Sequence, residues 1–359
     1  MHILNVFFII VIIFLLLVAV AKFTTISSPI VRLPEIIFVN TAQAITDHIP
    51  GLNNTVSNQT FTQTIIVPRV NESDLADYTL LLINKDRAQH GLAPVALVDE
   101  PSAQEHAESM LYYGYFSHWD LYGMKPYMRY TLLGGREAVT ENIAYEMRKF
   151  CAVGLCTGSI DPNQSIEDME YQMMYNDSAC CNNGHRDNIL DPDHDEVSIG
   201  VAYNSSAIYL VEDFINSYIA WSGNTPGYTN GGDVYLEGQI SSGYSLSQIY
   251  VAYDSPVQAY TNSSVPAGPY SYGQEVAGVV SSPLYYYRNF TTIDASQYST
   301  SGGMMDVAFS IKKLIQSYGP GEYTVLVLLN NTQTGSGFVG SSYTIFINST
   351  GGQYVPDEV

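Results

Sequence analysis

The sequence predicts an α+β domain followed by an all-β domain, on three observations. Segments with helical apolar spacing, bounded by caps, prolines and glycines, run from about residue 71 to 190. A strand–turn–strand pattern follows at 197–214. From about Gly231 the composition turns to Tyr, Ser, Gly, Thr and Val in short alternating runs, the pattern of an Ig-like β-sandwich. A chain of 359 residues exceeds one ordinary core, so two domains are expected, at 71–222 and 231–352.

In the first domain, Asn71 or Ser73 can cap a helix carrying Leu75, Tyr78 and Leu82, with Gly91 past its end and Pro94 beyond. Asp99 is placed to cap a second, with Pro101 in its first turn, Ala103, Ala107 and Met110 on one side, and Gly114 ending it. A short helix follows Pro126 and stops at Gly134-Gly135. Ser165-Ile-Glu-Asp168 reads as the start of a fourth, with Ile166, Met169 and Met173 at helical spacing. Val197–Tyr203 and Ala207–Phe214, joined by Asn-Ser-Ser, form a hairpin, and Trp221-Ser-Gly-Asn-Thr-Pro-Gly is the exit. In the second domain, 233–240, 248–253, 321–328 and 342–347 alternate like strands.

Ahead of both, Ile3 to Ala21 is an apolar run broken only by Asn5, long enough to cross a bilayer core of ~30 Å. Ala19-Val-Ala21 is also a cleavage pattern, so residues 1–22 are a membrane anchor or a signal peptide. Residues 23–70, mixed Thr, Ser, Asn and Pro, suit a stalk. Sequons at Asn53, Asn58, Asn71, Asn163, Asn176, Asn204, Asn262, Asn289, Asn330 and Asn348 point to a glycosylated, exported protein, secreted or held at the cell surface. Cys151, Cys156, Cys180 and Cys181 lie in one short region and read as two disulfides. Adjacent Cys180 and Cys181 are expected not to pair with each other, which ties both to the Cys151–Cys156 loop in an undecided order. A four-thiolate zinc site is the alternative, without the usual spacing.

Thirty-five acids against 14 bases give a net charge of −21. Nucleic acid is excluded as a partner, because phosphate neutralisation needs clustered Lys and Arg.

Four motifs occur in order: Leu82-Ile-Asn-Lys-Asp-Arg-Ala88, Gly114-Tyr-Phe-Ser-His118, Glu141-Asn-Ile-Ala144 and Gly184-His-Arg-Asp-Asn-Ile-Leu190. Together they resemble the CAP superfamily, the SCP-like extracellular domains of cysteine-rich secretory and pathogenesis-related proteins, over roughly Asp74 to Asn216. The resemblance implies an α-β-α sandwich and a cleft of two histidines and two acids able to bind a divalent metal. His118, Glu141 and His185 match three of these, and Asp177 is the nearest match to the fourth, with Glu170 in reserve. Met174 stands where the family commonly has Trp, and Ser178-Ala-Cys-Cys-Asn-Asn lengthens the loop.

Neutral imidazoles with carboxylates suit zinc or a similar first-row ion. The same four side chains would equally serve as mutual hydrogen-bond partners with no ligand. Three functional expectations follow. The first is a binding module for an apolar ligand (the resemblance implies lipid or sterol), a metal or a protein surface. The second is a metal-assisted hydrolase using Glu141, His118 and His185 catalytically. The third is a cell-surface scaffold. His106 reads as a helix-surface or packing residue. Asp191-Pro-Asp-His-Asp195 opens like a calcium loop but lacks the Gly and Glu at the sixth and twelfth positions, so it reads as a turn. No G-x-S-x-G, H-E-x-x-H or P-loop pattern occurs.

Overall fold

A computed structural model describes residues 70–152, 155–229, 231–288 and 290–354, with the strands Ile36–Ile37 and Ile65–Ile66. The apolar run 3–21 and nearly all of the stalk lie outside the described residues. Among those described, no helix is long and apolar enough to cross a membrane. The chain divides into two units. In the first, β1 (Ile36–Ile37) pairs antiparallel with β2 (Ile65–Ile66). The second, Glu72–Val359, contains an α/β part and a two-sheet part.

Helix α1 (Glu72–Gln89) carries Glu72 and Asp74 in its first turn and Arg87 in its last, each matched to the sign of the helix dipole there. Gly91, at φ +73°, takes the left-handed turn beyond it. Helix α2 (Pro101–Tyr113) is capped one residue later than expected. Pro101 has no N–H, so the first donor is Ser102 N, which Glu100 reaches at 3.1 Å. Gly114 ends it at φ +71°, its N–H on Met110 O. Helix α3 (Pro126–Leu132) follows. Helix α4 (Pro162–Tyr175) starts three residues before the expected Ser165. Asp161 caps it through Gln164 N, and Ser165 is buried inside it.

The sheet of this part has the order β3-β7-β8-β4, namely Ala96–Leu97, Glu196–Tyr203, Ala207–Asn216 and Ala138–Met147. The expected hairpin is β7–β8, paired from Glu196↔Ile215 to Tyr203↔Ile208. Helix α2 covers one face, packing Ala103, Ala107 and Met110 on Ile143, Ala202 and Val211. Helices α1 and α4, with the short α6 (Gly184–Ile189), cover the other. The result is the expected α-β-α sandwich. Close approach of α2 depends on Gly200 of β7, where a Cβ would overlap the backbone of Ala103 and Gln104. Gly200→Ala is expected to cost about 1–3 kcal/mol, because helix and sheet would have to separate. Urea unfolding checks this; a loss under a few tenths of a kcal/mol would show that α2 can shift freely.

The hairpin β5 (Lys149–Ala152) and β6 (Leu155–Gly158) sets Cys151 opposite Cys156 in register. Their side chains lie outside the described residues. Cys180 and Cys181, on the one-turn α5 (Ser178–Cys181), are joined to each other. This corrects the expectation that adjacent cysteines here would each reach the 151–156 loop. The tight turn between Asp177 and left-handed Asn182 and Asn183 brings the two sulfurs together.

The two-sheet part begins earlier than the composition change indicates. Strand β9 (Ile219–Trp221), expected as an exit, already pairs with β11 (Asp233–Ile240). One sheet has the order β10-β11-β16-β15: Gly227–Tyr228, β11, Met304–Ser310 and Gln297–Ser299. The other is β14-β13-β12-β17-β18: Thr291–Asp294, Gln274–Val280, Tyr244–Asp254, Gly321–Asn331 and Gly337–Ile347. Both close on one core that includes Val234, Leu236, Ile249, Val251, Phe309, Tyr323 and Val325. Helix α7 (Lys312–Tyr318) adds Leu314 to it.

The two parts share a third cluster. Met124, Tyr127, Met128 and Val139 pack with Phe346, and Val257, Tyr270 and Tyr272 lie against them. Lys125 Nζ meets Asp254 Oδ1 at 2.7 Å, and Tyr127 OH donates to Asp254 Oδ2 at 2.9 Å.

Candidate functional site

Strand β4 is the edge of its sheet among the described residues, paired with β8 on one side, so its outer edge is open to other chain segments. Alternation along it divides the two acidic-motif neighbours. Glu141 shares the face of Ile143, toward α2, whereas Asn142 faces α6 and donates to His185 O at 3.1 Å. Two histidine–acid pairs result, one on each side of this edge.

In the first pair, His118 Nδ1 lies 2.8 Å from Glu141 Oε1. The other oxygen, Oε2, accepts from Arg129 Nη2 at 2.5 Å. Arg129 also donates through Nη1 to His118 O (2.7 Å) and Met124 O (3.1 Å), fixing the loop that carries the histidine. Burial pushes the Glu141 carboxyl up, but Arg129 and the nearby histidines outweigh it and hold it below the usual range. The first pair also has a roof. Tyr270, from the segment joining β12 to β13, accepts the Glu141 N–H at 2.8 Å and sets its ring 4.9 Å from that of His118. Ser117 Oγ donates to Pro266 O at 2.6 Å and Tyr260 N to Leu121 O at 2.7 Å, so this segment is fastened along the loop.

In the second pair, His185 Nδ1 lies 2.6 Å from Asp177 Oδ1. Asp177 Oδ2 accepts the backbone N–H of His185 (2.9 Å) and Arg186 (3.3 Å), fixing the start of α6. Asp177 is therefore the partner of the second histidine. Glu170, the reserve, is buried elsewhere, facing Glu212 of β8.

The histidine–acid pairing anticipated as the ligand-free alternative is thus present in both halves. It occupies only Nδ1 of each ring, and each imidazole keeps a partly exposed edge. Among the described residues, the group whose ligand atoms all lie within 4.8 Å of one another is Asp177, Cys180, Cys181 and His185, which could hold a metal ion. His118 and Glu141 are not part of it. The join between Cys180 and Cys181 withdraws their thiolates from that donor set.

The pattern Gly184–Leu190 on a short helix and Glu141–Ala144 on an edge strand is matched by the family model of CAP, the cysteine-rich secretory protein family, over residues 80–215. This segment is a CAP domain. No curated protein matches the chain. Three solved structures are similar to it. An extracellular protein containing an SCP domain from Bacillus anthracis is 18% identical over 44% of this chain and 47% of its own, with TM-score 0.31. An outer surface protein from Borrelia burgdorferi is 15% identical over 41% and 97%, also at 0.31. The CAP domain of enterococcal PrgA is 15% identical over 45% and 66%, at 0.29. The chain spans about half the length of the Bacillus anthracis protein (47%).

Sequence reasoning missed Arg129 and Tyr270. Arg129 had one visible signal, a lone cation in a helix that is otherwise apolar or hydroxyl-bearing, in a chain with only 14 bases. His106, expected on the helix surface or in packing, is buried, with Nε2 2.8 Å from Ser117 O. The 191–195 segment is a turn, with Asp191 Oδ1 accepting Asp193 N at 2.8 Å and Asp195 Oδ1 accepting Ser217 N at 2.7 Å.

Proposed function

We propose that this chain is an extracellular or cell-surface binding module in which the His118–Glu141 and His185–Asp177 pairs each present Nε2 to a ligand, a divalent first-row cation, zinc-like, being the class that suits them. The observation that carries the reading is that each imidazole gives Nδ1 to a buried carboxylate, at 2.8 and 2.6 Å. A carboxylate on one ring nitrogen is the usual device for orienting a metal-binding histidine and presenting the other nitrogen. Glu141 and Asp177 are then orienting groups rather than ligands. The donor set fits: neutral imidazole suits such ions, which would supply Lewis acidity or a bridge to a further ligand. Export rests on the sequons and the apolar N-terminal run, and we read the two-sheet part as an Ig-like spacer.

The hydrolase reading has less support. Both oxygens of Glu141 are engaged, one on His118 and the other on Arg129, and its side chain is enclosed, which leaves it poorly placed to activate a water. A lipid or sterol ligand has less support too: the groove of about 660 Å³ between α1 and α4 sets Lys85, Asp86, Glu167, Asp168 and Glu170 beside Leu81, Leu82, Tyr171 and Tyr175.

Calorimetric titration of zinc into the metal-free chain tests the first reading, beside a His118→Ala, His185→Ala double variant. Saturable binding, lost in the variant, is expected. No heat in either protein would leave two hydrogen-bonded pairs with a structural role only.

A further inference from the structure

Cys180 and Cys181 sit in the loop that lengthens the approach to the second histidine, and neither histidine–acid pair uses them. Their sulfurs nevertheless close on that pair. One ligand atom from each of Asp177, Cys180, Cys181 and His185 lies within 4.8 Å of all the others. Asp177 Oδ1 is the shared centre, 2.6 Å from His185 Nδ1 and 3.5 Å from Cys180 Sγ. A tetrahedral zinc, with bonds of about 2.0 Å to oxygen and about 2.3 Å to sulfur, separates those two ligands by roughly 3.5 Å, so one edge of the tetrahedron is already set. The carboxylate is held in place from behind, because Oδ2 accepts the backbone N–H of His185 at 2.9 Å and of Arg186 at 3.3 Å. The other side is open: Cys180 is exposed, and Cys181 and His185 are half-buried.

What the four groups lack is charge on sulfur. The ligand form of cysteine is the thiolate, and two thiolates beside an imidazole and a carboxylate make a donor set for zinc. We propose that reduction of the Cys180–Cys181 disulfide turns this loop into a four-coordinate, zinc-type metal site that the oxidised chain does not possess, its ligands Cys180, Cys181, His185 and Asp177. The reductant is a dithiol. One of its thiolates attacks a sulfur, the S–S bond breaks, and its second thiol releases the mixed disulfide. The cysteine pair gains two electrons and two protons, and the dithiol that lost them closes as its own disulfide. The cation then displaces both thiol protons to solvent. In that state Asp177 is a ligand rather than an orienting group. The site shares His185 with the cation reading above but does not rest on it, since thiolate ligation has a signature that imidazole and carboxylate lack.

Cobalt(II) is the probe, because thiolate-to-cobalt charge transfer gives a near-ultraviolet band of its own. The full chain is titrated before and after reduction with a water-soluble phosphine, which becomes its oxide with oxygen from water and is removed before the metal is added. A saturable band is expected in the reduced chain alone, and zinc should displace it. Cys180→Ser with Cys181→Ser should abolish the band; neither side chain belongs to the buried core, so the fold is retained. His185→Ala should weaken cobalt binding at least about tenfold. Four results would overturn the proposal. They are no band in the reduced native chain, an equal band before reduction, a band that survives Cys180→Ser with Cys181→Ser, or an affinity that His185→Ala leaves unchanged. The third would assign the band to Cys151 and Cys156, and the last would leave two adjacent thiols binding metal as any dithiol does.

Discussion

Arg129→Ala is expected to cost about 3–5 kcal/mol, the usual range for removing one member of a buried ion pair. Glu141 is fully enclosed, and its depressed carboxyl range depends on Arg129 more than on any other favourable neighbour. Without the guanidinium, Glu141 must remain as an uncompensated charge or take up a proton and lose its hold on His118. The carbonyls of His118 and Met124 lose their donors in the same step. Arg129→Lys is expected to recover only part, because an ammonium cannot reach Nη1 and Nη2 positions together. The sign with pH is fixed by the depressed Glu141 value. The contribution is present above the unfolded carboxyl range near 4.3, and is lost as pH falls through the folded value. Urea midpoints of Arg129→Ala, Glu141→Gln and the double variant at pH 7 test this. The double variant should be more stable than Arg129→Ala alone. A single-variant loss below about 1 kcal/mol would show that water reaches Glu141 and that the pair is not the anchor described.

Legibility in the sequence followed the range of the interactions. Helix ends were readable because prolines and glycines act locally: Pro101, Pro126, Gly91 and Gly114 stand at the boundaries the structure shows. The β7–β8 hairpin was readable because its apolar run and its turn are contiguous. His118, Glu141 and His185 were singled out because each sits in a short motif, and Asp177 as the nearest match to the fourth position. Their pairing was anticipated; their roles depend on Nδ1 being the occupied nitrogen, which spacing cannot tell. Tyr270 was beyond reach, since it meets Glu141 from 129 residues away across a part of the chain that shows no catalytic pattern. The cap shifts to Glu100 and Asp161 have a common cause. A proline at the first helical position removes one donor, so the effective cap is set by the residue just before it. The short strands β13–β16 escaped notice because turns and Tyr-Ser-Gly segments interrupt them, and β13–β14 is a parallel pair without a hairpin signal.

Glu170→Gln is expected to stabilise the chain at alkaline pH and to flatten its dependence on pH. Glu170 of α4 and Glu212 of β8 face each other in the layer behind His185. Asn142 donates to Glu212 Oε2 at 3.1 Å, while neither Glu170 oxygen has another partner among the described residues. Burial first, and then the Glu212 charge, raises the Glu170 carboxyl well above its ordinary range. One proton shared between the two acids satisfies both, whereas two charges in one dry site cannot be accommodated. The folded value therefore lies above the unfolded one. The stability this pair contributes is complete below about pH 4.3 and is lost as pH rises through the folded value. Asp213, pushed up to about 8 by burial and the Glu141 charge, and Glu322, pushed up to about 7 by burial, act in the same direction. Neutral buried His106 and His194, both lowered by burial, act in the opposite one, losing stability as pH falls through the unfolded histidine value near 6.5. Glu141 adds to the loss in acid. The native chain should therefore weaken as pH rises from about 5.5 toward 8.5. In Glu170→Gln the amide donates to Glu212 without a shared proton, so the alkaline loss shrinks by on the order of 1–3 kcal/mol. Thermal melts of both proteins at pH 5.5 and 8.5 decide it. If the variant melts below the native chain at pH 8.5, the buried acids are not sharing a proton, and Glu170 is ionised against a partner other than Glu212.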